Sequence, residues 1–159
     1  MKICWRIAAL SLFLALCCVA NAGLGETMEQ TIQRYGQIVK REQSPQIPGE
    51  AGMMYEFQKS GFRIQVRFVS GRVAWILYMS NKTIFTGDII TLLDNNAEGS
   101  KWSEGSETKD SGHIMHKEIH YARADGLADA DYQELGTYYG LSIITKAWRR
   151  ARSPETNGL

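Results

Sequence analysis

Residues 62–80 read FRIQVRFVSGRVAWILYMS, and this stretch decides the fold class. Phe62, Ile64, Val66 and Phe68 alternate with Arg63, Gln65 and Arg67, the period-two pattern of a strand with one dry face and one wet face. Ser70-Gly71 supplies a tight hairpin turn, and residues 72–80 return as a second strand. That strand is apolar on both sides, with Val73, Trp75, Leu77 and Met79 on one and Ala74, Ile76 and Tyr78 on the other. Such a strand belongs in the middle of a sheet, with cover on each face.

Working outward, Met53, Tyr55 and Phe57 alternate before the Lys59-Ser60-Gly61 turn and predict another strand. Residues 37–52 are polar and broken by Pro45, Pro48, Gly49 and Gly52, which predicts a loop. Before it, Thr27 and Gln30 form a capping-box pair. Met28, Ile32 and Tyr35 make one apolar helical stripe, and Gly36 stops it. Downstream, Thr86 caps a second helix whose Asp88 suits the positive end, and Ile89, Leu92, Leu93 and Asn96 form its buried side. Residues 100–112 read as a polar loop anchored by Trp102. A strand over 113–124 then meets Asp125-Gly126, a type I′ turn signal, and returns over 127–132. A last strand spans 141–148, and the charged stretch 149–159 reads as a disordered tail. The expectation is a single α+β domain over residues 23–148, in the order αβββαβββ. It has an antiparallel sheet of about six strands with two short helices on one face.

Residues 1–22 carry a different message. Lys2 and Arg6 precede an uncharged run from Ile7 to Ala20, closed by Ala20-Asn21-Ala22. This is the layout of a secretory signal peptide cut after Ala22, and the run is short for a bilayer crossing. The protein is therefore expected to be exported, periplasmic or secreted, with no transmembrane segment in the mature chain. Cys4, Cys17 and Cys18 all lie in this segment, so the mature chain has no disulfide to rely on. Removing Lys2 and Arg6 from 18 basic and 17 acidic residues leaves a mature net charge of −1. That balance makes no basic field for nucleic acid.

The helix beginning Gly25-Glu26-Thr27 and ending Tyr35-Gly36, with the alternating strand and Ser70-Gly71-Arg72-Val73 after it, resembles the opening of exported SmpA/OmlA (BamE-like) domains. The similar β-lactamase-inhibitor-protein-like fold also lays small helices on an antiparallel sheet. The Arg34-Tyr35-Gly36 helix end also resembles that of uncharacterised exported bacterial proteins. The resemblance covers residues 25–80 and implies a fold and an adaptor-like role, with no site residues carried across. This chain lacks the lipidated Cys of that class and a proline directly after Gly36, and a second helix-plus-strands unit follows.

The residues that bear chemistry are few. His113, His116 and His120 are the only histidines. On a strand, His116, Glu118 and His120 share a face, with i, i+2 neighbours ~6–7 Å apart, so pairs of them could grip zinc or copper. The plainer alternative is a solvated strand face backed by Met115, Ile119 and Tyr121. Asp94 to Gly99 opens like a calcium loop but fails at Lys101 and Gly105. Asp125, Asp129 and Asp131 form an acidic cluster in which Asp129 and Asp131 share a strand face and could bind a hard cation weakly, though the polar edge of a hairpin accounts for them with less. There is no Gly-x-Ser-x-Gly elbow, no His-Glu-x-x-His and no mature cysteine, so nothing points to nucleophilic catalysis. Trp148-Arg149-Arg150-Ala151-Arg152 is a small basic-aromatic patch suited to lipid headgroups or an acidic protein. The expected function is binding, not catalysis: a small exported adaptor that meets a protein partner on the helix-free sheet face through Arg63 and Arg67, beside Gln65 and Tyr78. The alternative is a small metal-binding protein or metal-dependent enzyme built on His116, Glu118 and His120.

Overall fold

The computed structural model describes residues 23–47, 49–110 and 116–152, with side chains throughout except at 106–110, 116 and 135. Residues 1–22, His113 and residues 153–159 lie outside that description. Twelve elements follow in order: α1 (Met28–Tyr35), β1 (Lys40–Gln43), α2 (Gly49–Gly52), β2 (Met53–Lys59), β3 (Phe62–Val69), β4 (Arg72–Ser80), α3 (Thr86–Asp94), β5 (Trp102–Asp110), β6 (His116–Arg123), β7 (Ala128–Leu135), β8 (Tyr138–Thr145) and α4 (Lys146–Arg152). The α+β class stands, but the six-strand, two-helix αβββαβββ plan does not. Among the described residues there is one eight-stranded antiparallel sheet with four short helices.

The strand order is β1-β2-β3-β4-β8-β7-β6-β5. Two four-stranded meanders therefore meet along β4 and β8. After β4 the chain passes through α3 to the far edge and walks back strand by strand to β4. β4 is central, as its two apolar faces require. Both missed strands are edges: β1 is exposed at all four residues, and β5 is polar after Trp102. Their backbone pairing with β2 and β6 needs no buried side, so no alternation marks them, and polar edges discourage further strand addition.

The turns follow the same local logic. Ser60-Gly61 and Ser70-Gly71 are both left-handed at both positions (φ 53° and 83°, 53° and 70°), the type I′ geometry that matches strand twist. The third turn departs from expectation. Only Gly126 has positive φ there, and the Asp125 carboxylate holds the loop by accepting from the Leu127 amide and from Arg123 Nε.

The helices lie on both faces of the sheet, which corrects the one-face plan. α1 and α3 cover the main core, where Phe57, Ile64, Val66, Ile76, Tyr132, Leu141 and Ile143 are buried. Tyr78 belongs here at 3% exposure, and not on the open face where the sequence put it. Thr27 caps α1 with the expected reciprocal box through Gln30. α3 is capped one residue earlier than expected, at Phe85, whose amide donates to Asp88. α2 and α4 sit on the opposite face over a smaller cluster of Ala51, Ala74 and Trp148. The last strand stops at Thr145, so residues 146–152 are helical where a strand end and the start of a tail were expected. Among the described residues, no helix is long and apolar enough to cross a membrane.

Candidate functional site

Cross-strand register places the sequence candidates on one face. Pairing runs His120–Asp131–Ser142–Leu77–Gln65–Glu56 in one row and Glu118–Gln133–Gly140–Met79–Arg63–Gln58 in the next. A third row runs Ala122–Asp129–Ile144–Trp75–Arg67–Met54 beneath α2 and α4. Directly paired residues point to the same side of a sheet. Arg63 and Arg67 thus share the second face with Glu118 and His120, but at different ends of it.

Most polar groups of this face are tied to each other. Nδ1 of His120 lies 2.7 Å from Asp131 Oδ1, Gln133 donates to Glu118 at 2.9 Å, Gln65 donates to Glu56 at 3.2 Å, and Trp75 Nε1 donates to Ser142 at 3.1 Å. The three aspartates of the acidic cluster go to separate partners: Asp125 to Arg123, Asp129 to Arg149 and Asp131 to His120. Glu98 likewise pairs with buried Arg123, and Asn96 is fully buried, so the calcium-like segment is a structural helix end. Asp131 also stands between Ser142 and His120 in the row, which keeps serine and imidazole two strands, ~9–10 Å, apart. Among the described residues, no group of three His, Cys, Asp or Glu converges as a metal site would require. The His116 side chain lies outside the description.

Arg67 is different. It sits on β3 where the ladder shifts register against β4, and Ala74 is the extra residue of that bulge. Thr145 ends β8 by donating to the Ala74 carbonyl at 2.9 Å and accepting the Trp148 amide at 3.2 Å, an N-cap that turns α4 back over the sheet. Trp148, 4% exposed, thereby stacks on Trp75 with centroids 6.2 Å apart. The Arg67 guanidinium lies 5.6 Å from the Trp75 ring and 5.5 Å from the Trp148 ring. Its Nη1 donates to the Gly52 and Ala51 carbonyls at 2.6 and 3.4 Å, the C-terminal end of α2. Gly52 has to be glycine, because a Cβ there would stand 1.7 Å from the Ile47 carbonyl oxygen. α2 is pinned in turn by Glu50, which accepts the Gly71 amide at 2.8 Å.

Nε and Nη2 of Arg67 have no hydrogen-bond partner among the described residues, and no carboxylate there lies within ion-pair distance. Burial lowers the Arg67 pKa from its ordinary value, opposed by the charge of Glu42, itself paired with Lys40. A cleft of about 510 Å³ opens at this point, lined by Ser44, Gln46, Ile47, Arg67, Trp75, Trp148 and Arg152. Arg63, the other sequence candidate, is exposed and its Nη2 contacts the Met79 sulfur at 3.5 Å. The sequence therefore named one residue of the cleft, Arg67, and missed its aromatic walls. Trp75 was hidden in a uniformly apolar strand. Trp148 and Arg152 were visible as a basic-aromatic patch, without any sign that it folds back over Arg67.

No protein-family model, no curated protein and no solved structure matches the chain, which leaves the SmpA/OmlA and β-lactamase-inhibitor-protein resemblances neither supported nor refuted.

Proposed function

We propose that the protein is a small exported binding domain of the cell envelope that engages a protein partner at the cleft around Arg67. One observation supports this reading above the others: a half-buried guanidinium, beside a stacked pair of indoles and lining a cleft, has its Nε–Nη2 edge unpaired among the described residues. A charge desolvated without an ion pair costs free energy in the isolated protein, and an incoming group that pairs with it recovers that cost. A photo-crosslinking amino acid at Gln46, used in cells, would trap the partner for identification and purification. The purified partner is expected to bind the mature protein, and Arg63→Ala/Arg67→Ala to weaken that binding by about tenfold or more. Unchanged affinity would rule this face out. N-terminal sequencing of the exported protein, expected to begin at Gly23, tests the export half of the reading.

A second reading rests on a separate observation. The Asp131 bond orients His120 through Nδ1 and leaves Nε2 outside that bond, the arrangement that holds metal-bound imidazoles in place. Zinc or copper held with Glu118 and His116 is the metal-binding alternative. Stoichiometric metal on the untagged mature chain, lost in His116→Ala/His120→Ala, would establish it. Absence of bound metal and of any thermal shift would retire it.

A further inference from the structure

We infer that the group received at Arg67 is a carboxylate, and that the partner's docking element is an acidic peptide segment lying along α4. This inference rests on the binding reading and specifies its chemistry. Arg67 already spends Nη1 on the α2 carbonyls, so what it has left for a ligand is the side-on Nε–Nη2 edge. Two parallel N–H donors at that spacing fit the two oxygens of a planar carboxylate. The neighbouring helix has the same sign. α4 carries Lys146, Arg149, Arg150 and Arg152 in seven residues with no acidic residue in its first turn, and all four cations are exposed.

Arg149 is answered by Asp129, whereas Arg152 lines the Arg67 cleft and Arg150 and Lys146 line a second hollow of about 350 Å³ with Arg72, where the one carboxylate among the described residues, Glu98, is taken up by Arg123. A chain carrying several carboxylates along its length would meet cations in both hollows, on either side of α4. The recess favours a peptide over a lipid surface. Trp148 is buried and Arg67 half-buried beside the stacked rings in the cleft, so a side chain can reach in where a flat layer of headgroups would touch only α4.

The test is calorimetric titration of the untagged mature protein with an octapeptide of alternating aspartate and glutamate, and with its asparagine–glutamine counterpart. The acidic peptide is expected to bind, more weakly as salt rises, and the amide peptide not to bind. Arg67→Gln should weaken binding by about tenfold or more. Arg152→Ala, an exposed position that cannot unfold the core, should weaken it several-fold, and this variant decides the matter if Arg67→Gln does not fold. Failure of the acidic peptide to bind overturns the inference. So does equal binding by both variants, or binding to phosphatidylglycerol vesicles in place of the peptide. A crosslinked partner that depends on Arg67 but is not displaced by the acidic peptide would overturn the carboxylate chemistry and leave the binding reading intact. A partner indifferent to Arg63 and Arg67 would sink the binding reading itself.

Discussion

Leu24 is fully buried although it precedes the first helix and no sequence period marks it. It enters the core because its neighbours are tied down on three sides: the Gly23 amide donates to Asn95 O, the Leu24 amide to Asn96 Oδ1, and the Gly25 amide to Val73 O. Asn96, 0% exposed, completes the arrangement by donating from Nδ2 to Tyr78 Oη and Leu92 O, so every polar atom of its side chain is satisfied. Gly23 has no space for a side chain, since a Cβ would fall 2.3 Å from Asn96 Oδ1. Leu24→Ala is therefore expected to cost about 2–5 kcal/mol in urea unfolding of the mature chain. A loss below about 1 kcal/mol would mean that the N-terminal strap contributes little. Arg67 belongs to the same scale. The sequence placed it on a wet strand face, and on the backbone that is correct. What alternation cannot convey is that two tryptophans, 73 residues apart in sequence, stack together beside it.

Among the elements, α4 is the one on which the candidate site depends. It has seven residues, too few to be helical by propensity alone, so its order comes from the Thr145 cap and from Trp148 packed on Trp75. Trp148→Ala removes the packing and should release α4 by itself, at a local cost of about 3–5 kcal/mol. Hydrogen exchange is the measurement: amides of residues 146–152 should exchange like an unfolded segment while β3 and β4 keep their protection. Uniform loss of protection across the sheet would show instead that α4 unfolds only with the whole domain. Sequence periodicity misread this segment because Leu141, Ile143, Ile144 and Trp148 fit a strand as well as a strand followed by a helical anchor. The edge strands β1 and β5 escaped for the opposite reason. Their sequences are polar, KREQ in β1 and everything after Trp102 in β5, so no apolar alternation marks them, and their order is supplied by the neighbouring strand.

For the whole molecule, the main core joins the two meanders and carries tyrosines whose hydroxyls are sealed inside it. Tyr35 and Tyr78 share a hydrogen bond of 2.6 Å between their hydroxyl oxygens, and burial raises the pKa of both above the ordinary 10.0. Below pH 10 both states keep these protons. Above it the unfolded chain releases protons that the native state retains, so the unfolded state binds fewer and stability falls as pH rises. The unfolding free energy from urea titration should hold steady from about pH 7 to 9 and then fall, by up to about 1.4 kcal/mol per pH unit for each tyrosine. Tyr35→Phe should flatten part of that fall, and an alkaline slope identical in the variant would show that the pair is not its source. The sequence by itself determined the strongly patterned parts: the β2–β3–β4 hairpins with their Ser-Gly turns, the capped α1 and the central place of β4. Each of these rests on a local period or a short-range hydrogen bond. Only the tertiary structure decided which strands close the edges, that helices lie on both faces, that Leu24 plugs the core, and that Arg67 lines a cleft with Trp75 and Trp148. Those are contacts between residues far apart in the chain, made by pairing and burial that no window of neighbouring residues encodes.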